Sequence, residues 1–524
     1  MIWPDLTESL HEQVETNQLI TIEKEKSETL VYNADKEALN TVFSNRATGT
    51  IKHVENSYSD FNRERLIYHM KSNLGPDLTI SDIDNDGTED IVISGSKGGF
   101  SSILFNMGRD KQVDLSDALS IDKEQSCVHV FDANQDGLQD IYIAGGGTDV
   151  SPFSPNLFDE LWLNQDGQTF IKTDQFLPNN KDNISTSVVI SNDIDNDGDL
   201  DLMIGERVKI GSYGSPCSGY LLKNDGKGDF LDVTDEWAPG LVNVGMINDA
   251  IFYDLNSDGV KELIVVGEFM EPIIYDWTGS KFEIVERSNL DGLAGWYNTI
   301  HISDINGDGM GDLILGNHGT NSRFQASSAQ PIKLYYNDYD KNGFAEGIMT
   351  YSDMEGNDYP YALRHNIIEQ LKYLKKRFPN YELYKQASIN EIFAEEELSE
   401  ADILSVENLQ SVILVNQGEF KFEIIELPKE VQYTPIYAIS SGDYDHDGDE
   451  DLVLGGNQYN ALPEAGIYDA SYGIYLENDG SGNFKYIPAD KSGFKVVGQV
   501  RSIVSTDSSV IVALNNDAYV TYEY

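Results

Sequence analysis

The pattern D-x-[DN]-x-[DN]-G-x-x-[DE] occurs seven times in this chain, beginning at residues 82, 132, 193, 254, 304, 338 and 443, and no other feature restricts the fold so strongly. In the first copy, "DIDNDGTEDIVISG", Asp82, Asp84 and Asp86 stand at alternate positions and repel one another unless a cation lies between them. Calcium, which takes six to eight oxygen ligands in a flexible shell, suits that spacing. Gly87, at the sixth position, supplies the positive φ of a sharp turn. An EF-hand would need a bidentate Glu at position 12 and helices on both sides. Here position 12 is Ile93, the closing acid is Asp90 at position 9, and Ile91, Val92 and Ile93 read as a buried strand. The other copies carry Ile143, Ile204, Val265, Leu315, Met349 and Leu454 at position 12, so each loop is expected to join strand to strand.

The expected metal ligands are the side chains at positions 1, 3, 5 and 9. They are Asp82, Asp84, Asp86 and Asp90 in the first loop, Asp132, Asn134, Asp136 and Asp140 in the second, and Asp193, Asp195, Asp197 and Asp201 in the third. Asp254, Asn256, Asp258 and Glu262 follow, then Asp304, Asn306, Asp308 and Asp312. The last two sets are Asp338, Asp340, Asn342 and Glu346, and Asp443, Asp445, Asp447 and Asp451. Up to seven structural Ca2+ ions are expected, above all in the loops at 82, 193 and 443 and less so in those at 254 and 338, where Asn or Glu replaces Asp. Metal-free Asx turns would leave these carboxylates uncompensated.

The first five loops start 50, 61, 61 and 50 residues apart, a period that points to propeller blades. Each unit also carries a later strand ending in an Asn/Asp/Gly turn, as in "LWLNQDGQTF" (161–170) and "YLLKNDGKGDF" (220–230). Strand, metal loop, strand, long connection and hairpin make a four-stranded blade. The loop at 338 follows "PIKLYYN" and is expected in the outer hairpin of the blade that begins at 304. A seventh unit, "VRSIVSTDSSVIVALNND" (500–517), has the strands without the loop, and a strand near "ETLVYN" (28–33) is expected to complete it and remove the exposed edge. The expected fold is therefore all-β, a seven-bladed β-propeller of four-stranded antiparallel blades spanning 28–524, with a small helical and hairpin insertion at 351–430. In that insertion Ile367, Leu371, Leu374 and Phe378 share a helical face, Ser388 and Glu391 stand at capping-box spacing, and "SVILVNQGEFKFEIIELP" (411–428) reads as a decorating hairpin. The basic residues Lys372, Lys375, Lys376 and Arg377 read as a solvated helix face.

With 36 basic and 89 acidic residues the formal charge is −53. Seven divalent ions would offset only part of it, so nucleic acid and anionic membranes are excluded as partners. The two cysteines, Cys127 and Cys217, are too few for a zinc site, and their pairing stays open. No apolar run is long enough to span a membrane. The start "MIWPDLTESLHEQVETNQ" lacks the basic and apolar regions of a signal peptide. Extracellular calcium modules bind at roughly 10⁻⁴ to 10⁻³ M, so the expectation is an extracellular or cell-surface chain whose export signal lies upstream, in a longer protein.

These residues resemble the FG-GAP/VCBS repeat proteins, whose seven-bladed propeller is shared with integrin alpha chains. The likeness runs from about residue 50 to the end. More narrowly, "IKHVENSYSDF" (51–61), "LGPDLTISDID" (74–84), "GWYNTIHISDINGDGMGDLILGNHGTNSRF" (295–324) and "GQVRSI" (498–503) are similar to secreted VCBS proteins of Bacteroidota that are coupled to an ASPIC/UnbV domain. "IWPDLTESLHEQVETNQLITI" (2–22) is similar to the closing strands of that domain, with Leu6 where the family usually has glycine; the resemblance makes residues 1–27 the tail of such a domain. It implies a calcium-stabilised scaffold and no defined ligand.

In an up-and-down blade the metal loops share one face of the ring and the long second connections share the other. Those connections, such as "GGGTDVSPFSPNLFDE" (145–160) and "GNQYNALPEAGIYDASYG" (456–473), are rich in aromatic, Asn and Gly residues, which suit sugar or peptide recognition. Packing between blades is the alternative use of the same residues. Trp296, His318 and Arg323 are the candidate ligand contacts. The expected function is a secreted or cell-surface calcium-binding module for a glycan or protein ligand, with no catalytic residue assigned. The alternative is a polysaccharide lyase or hydrolase on the face opposite the calcium loops, which would require clustered acid, base or cationic groups in one cleft. A purely structural spacer is a third reading.

Overall fold

The computed structural model describes residues 41–109, 111–115, 122–179, 181–286 and 289–524. Each repeat forms one antiparallel sheet, because two apolar runs joined by a tight loop pair with each other and the following hairpin extends their outer edge. In the second sheet Glu124–Phe131, Asp140–Gly146, Glu160–Asn164 and Phe170–Lys172 lie side by side in chain order. Successive strands reverse direction, so the metal loop and the outer turn emerge on one face and the long connection on the other. The second strands are buried on both sides. Ile141 and Ile143 pack toward the first sheet, whereas Tyr142 and Ala144 pack toward the third, as the two-residue side-chain period requires. Such strands read as continuous apolar runs rather than as alternation.

Seven sheets follow one another in this way, with innermost strands Leu78–Ser81, Glu124–Phe131, Ser185–Asn192, Met246–Tyr253, Thr299–Ser303, Ile436–Gly442 and Gln499–Ser505. One apolar cluster separates each neighbouring pair. The last of them closes the circle, because Ile511, Ala513 and Tyr519 of the final sheet pack on Leu78, Ile91 and Ile93 of the first. The architecture is a β-propeller. Its final sheet takes its outermost strand, Ser44–Lys52, from the other end of the chain, paired with Ala518–Glu523. This closure covers a sheet edge that would otherwise invite association. The segment at 28–33 expected in this role, and the tail at 1–27, lie outside the described residues.

Two expectations about the insertion need correction. The loop at 338 is not in an outer hairpin of the fifth blade: Ile332–Asn337 and Glu346–Ser352 belong to an eighth sheet, completed by Asp358–Pro360 and Asp402–Val406. The segment 411–428 is not decoration either. Val412–Asn416 pairs with Asp312–Gly316 and Phe422–Glu426 pairs outside it, so this hairpin completes the fifth blade. The eighth sheet and its helices therefore interrupt the fifth blade between its second and third strands. Ile367, Leu371, Leu374 and Phe378 are buried in one cluster with Tyr335 and Ile348 of that sheet and Tyr339 of its loop. The helix stops at Gln370 and a 3-10 turn carries Lys372–Lys376. Lys372, Lys375, Lys376 and Arg377 are exposed, and the Ser388 capping box forms, with the Ser388 N–H donating to Glu391 Oε2 at 2.9 Å. Cys127 and Cys217 are free, buried thiols in separate clusters.

The ring axis has its own repeat. The residue six positions before the first loop aspartate is Pro76, Ser126, Ser187, Asn248, Asn298 or Tyr437 in the six blades with metal loops, and Arg501 is its counterpart in the seventh. Ser126, Ser187, Asn248, Tyr437 and Arg501 each occupy a bulge in their innermost strand, which re-aims a side chain, and this level lines an axial cavity. Several of these side chains tie one blade to the next. Ser126 Oγ donates to Thr186 O (2.7 Å), Ser187 Oγ to Ile247 O (2.7 Å), Asn248 Nδ2 to Tyr297 O (2.7 Å) and Asn298 Nδ2 to Ile436 O (3.1 Å).

Candidate metal loops and the face opposite them

Six of the seven loops share one hydrogen-bond scheme, which the sequence spacing builds locally. In these the first aspartate accepts from the backbone N–H groups at positions 5 and 6, as Asp82 does from Asp86 (3.1 Å) and Gly87 (2.9 Å) and Asp304 does from Asp308 (3.0 Å) and Gly309 (2.8 Å). In the loop at 443 Asp443 accepts from the Gly448 N–H alone (3.1 Å), while the Asp447 N–H turns to Asp445. The glycine at position 6 has φ between 86° and 100° in every loop. No atom stands near enough to oppose a Cβ at Gly87, Gly137 or Gly198, so this glycine is required by backbone conformation and not by space. Position 4 is left-handed too, although it is Asn85, Gln135, Asn196, Ser257, Lys341 or His446 in six of the loops.

The acid at position 9 has a second task that spacing alone did not reveal. Asp140 Oδ2 accepts from the Ala133 N–H (2.9 Å) and Oδ1 from the Asn164 N–H (2.7 Å) at the end of the third strand. Asp201, Asp312 and Asp451 hold Asn224, Asn416 and Asn478 in the same way. The amide groups of these buried asparagines then reach across to the preceding blade. Asn164 Nδ2 donates to Ile83 O (3.0 Å), Asn224 Nδ2 to Ala133 O (2.8 Å), Asn416 Nδ2 to Leu255 O (2.8 Å) and Asn478 Nδ2 to Ile305 O (2.8 Å). In each case the acceptor is the second residue of the neighbour's loop. The Asn in "LWLNQDG" and its equivalents is therefore an inter-blade clasp. The fourth blade has Trp277 at that place, two residues past the Tyr275 that pairs with Leu263, and its closing acid Glu262 accepts instead from Asn256 Nδ2 of its own loop (2.8 Å). Burial pushes the closing acids up, to about 6 for Asp140, Asp312 and Asp451 and to about 7 for Asp201, Glu262 and Glu346.

Four loops gather three carboxylates whose oxygens lie within 4.8 Å of one another: Asp82, Asp84 and Asp86; Asp193, Asp195 and Asp197; Asp338, Asp340 and Glu346; Asp443, Asp445 and Asp447. Three of these clusters contain a buried oxygen with no hydrogen-bond donor, namely Asp84 Oδ1, Asp195 Oδ1 and Asp443 Oδ1. A buried acceptor without a donor is costly, and a divalent cation is what an acceptor-only set of oxygens fits. These four clusters could hold such an ion. The loops at 132, 254 and 304 bring together less charge, because Asn134 and Asn306 turn their amides onto Asp136 and Asp308 (both 3.0 Å) and Asn256 bonds Glu262. The cluster at 193 differs from the others: Lys223 Nζ is ion-paired with Asp195 Oδ2 and lies 3.0 Å from Asp197 Oδ2. Those hydrogen bonds hold the Lys223 ammonium well above its ordinary pKa, and the same contact lowers Asp197.

On the opposite face, residues 53–73 run across the ring. Arg63 Nη1 donates to Thr148 O (2.6 Å) and Val150 O (2.8 Å), Glu64 accepts from the Tyr213 N–H (2.8 Å), Lys71 pairs with Glu268, and Met70 and Tyr68 exchange backbone hydrogen bonds with Asn460 and Leu462. This crossing covers two of the three candidate ligand contacts. Trp296 and His318 are 4% and 6% exposed, and the His69 ring lies 6.0 and 5.2 Å from theirs. Trp296 and His318 do come together, with centroids 5.2 Å apart, but as part of an apolar cluster with Phe324. Burial lowers His318 to about 3. Arg323 is exposed, with its guanidinium over Tyr68 and Tyr361. The exposed apolar side chains of the long connections are Phe153, Tyr459, Ile467 and Tyr472.

The FG-GAP-like repeat family model matches residues 193–265 and 254–315, the third to fifth metal-loop units. No curated protein sequence is similar enough to count as a relative. Among solved structures the chain is similar to the V. cholerae biofilm matrix protein Bap1 (12% identity, 91% of each chain covered, TM-score 0.36) and to the Dos1 propeller (9% identity, 88% of this chain and 97% of that one, TM-score 0.41). It is also similar to virginiamycin B lyase from Staphylococcus aureus (12% identity, 87% and 98% covered, TM-score 0.36). All three TM-scores are below 0.5, and the propeller stands on the chain's own closed ring of sheets. A β-propeller carrying FG-GAP-like repeats suggests a binding or scaffold module. No helix among the described residues is long and apolar enough to cross a membrane.

Proposed function

We propose that this chain is a calcium-stabilised propeller of the cell surface or extracellular space that serves as a binding or scaffolding module for a glycan or protein ligand and performs no catalysis. The observation that carries the calcium part is the set of three donor-less buried oxygens, Asp84 Oδ1, Asp195 Oδ1 and Asp443 Oδ1, each within a cluster of three carboxylates. Asp82, Asp84 and Asp86 would hold one ion, and the corresponding residues of the other loops up to six more. The ion supplies positive charge that pins each strand-to-strand turn. Loops of this type match millimolar extracellular calcium better than the cytosol, which supports export. The ligand would meet the long connections, where Arg323 and exposed aromatic side chains such as Phe153 and Tyr472 are available; Trp296 and His318 would join it only if residues 53–73 moved. The resemblance to ASPIC/UnbV-coupled proteins of Bacteroidota would make residues 1–27 part of a preceding domain. The calcium-loaded chain should bind members of a glycan array or an extracellular-protein panel, lose that binding in EDTA, and leave polysaccharides uncut. Release of unsaturated or reducing ends from a polysaccharide would overturn the non-catalytic reading in favour of a lyase or hydrolase.

A further inference from the structure

The axial cavity, about 220 Å3 in volume, contains two arginines whose donors are not used up. Arg207 sits at a bulge of its strand, where Thr186 opposes Glu206 and Ser185 opposes Val208, so its side chain leaves the sheet and lines the axis. Among the described residues its guanidinium has no hydrogen-bond partner. The nearby carboxylate of Glu268 is taken by Lys71 and by the Tyr213 hydroxyl, which donates at 2.6 Å. Arg501 spends its terminal nitrogens on Asn457 O, Val500 O, Gln458 Oε1 and Gln499 Oε1, yet its buried Nε has no acceptor. That guanidinium lies 4.3 Å from the centre of the Tyr437 ring, and the Tyr437 hydroxyl is also without a partner among the described residues.

The two aspartates that line the cavity do not answer these donors. Asp77 accepts from the Leu78 N–H (2.8 Å) and the Val128 N–H (3.1 Å), and Asp249 from the Ala250 and Ile300 N–H groups (both 2.9 Å). The wall therefore has an excess of donors on its cationic side. The Arg501 Nε is a buried donor left unmade, which is rare, and the half-buried Arg207 guanidinium is open to a ligand on the axis; a planar guanidinium matches a carboxylate in a two-point contact.

We propose that the axial cavity binds the carboxylate of a small organic acid, with Arg207 as its two-point partner and the Tyr437 hydroxyl as a further donor. Asn248 and Asn298 line the same cavity with their amide nitrogens engaged by the next blade, which leaves their amide oxygens as acceptors for hydroxyl groups. A hydroxylated acid, such as a single sugar-acid unit, thus fits better than an apolar one. The volume falls below the roughly 300–1,000 Å3 usual for drug-sized ligands, which limits the occupant to about one ring. The site lies apart from the metal loops and needs neither calcium nor the outer connections as ligand contacts.

The test is isothermal titration of the calcium-loaded full chain with sodium glucuronate, sodium acetate and glucose, each against sodium chloride of matched concentration. Glucuronate should bind, alone or together with acetate, and glucose should not. Arg207→Gln should weaken glucuronate binding about tenfold or more, and Tyr437→Phe by a few-fold. Both variants keep every loop carboxylate, so glucuronate held by loop calcium would bind them as it binds the wild type. Unchanged affinity in whichever variant folds, measured by its melt, would overturn the proposal, as would carboxylate binding no stronger than that of glucose or chloride.

Discussion

Replacing Asn416 with alanine tests the inter-blade clasp where its geometry is complete. Asn416 Nδ2 donates to Leu255 O of the preceding blade (2.8 Å) and to Gly311 O of its own (3.3 Å), while Oδ1 accepts from the Gly418 N–H (2.9 Å). The side chain is fully buried, so water cannot replace it without rearrangement. Truncation leaves two carbonyls and one N–H without this partner. At about 1–3 kcal/mol for a buried group left unmade, and with the longer contact counted as weak, the loss should be about 3 kcal/mol. An unfolding entropy of about 2.1 cal/mol/K per residue over roughly 480 residues gives close to 1 kcal/mol/K, so Tm should fall by about 3 °C. Asn416→Asp should cost more, because it keeps the acceptor and places charge against two carbonyl oxygens. The assay is a calorimetric melt in saturating calcium, with Asn483→Ala on the exposed outer turn as the control. Equal melting of Asn416→Ala and wild type, or an equal drop in the control, would refute the clasp.

Lys223→Met should tighten calcium binding at the loop beginning with Asp193, since the ammonium paired with Asp195 and Asp197 competes for the same oxygens; competition titration with a calcium chelator dye would show a looser or unchanged site if it does not. In EDTA the protein should be more stable near pH 5 than near pH 8. The closing acids Asp140, Asp201, Glu262, Asp312, Glu346 and Asp451 are raised to about 6 or 7 by burial. Their contribution is present below the unfolded carboxylate pKa and is lost as pH climbs through those values; metal-free melts rising with pH across that window would contradict the assignment. Gly87→Ala should cost about 1–2 kcal/mol, entirely from its φ of 89°, and a neutral result in the metal-free melt would show that the turn relaxes.

The loops announce themselves in the sequence because a metal-type turn is local: its ligands, its glycine and the strand after it fall within a dozen residues. The propeller follows for the same reason, since each blade repeats one short pattern. What the sequence did not disclose depends on distant partners. The loop at Asp338 carries the same motif as the others, and nothing in it says that its strands pair with Asp402–Val406 in a separate sheet. For the hairpin at 412–426 the missing information was again the partner, Asp312–Gly316. Residues 53–73 bear no metal-loop motif, yet their contacts with the long connections bury Trp296 and His318. The axial residues were visible in principle: aligning the loops places Ser187, Asn248 and Tyr437 at one offset, but only the bulged register shows that they point inward.

The most direct test of the central claim is a thermal melt of the full chain in millimolar calcium and again in excess EDTA. If the four three-carboxylate clusters each hold an ion at about one hundred times its Kd, each contributes about 2.7 kcal/mol. Together these shift Tm by roughly 10 °C on the entropy scale used above. A chelation drop of that order, restored by added calcium and not by sodium chloride, is the predicted result. Melts that coincide with and without calcium would contradict the account, leaving seven acidic turns that fold with no ion between them.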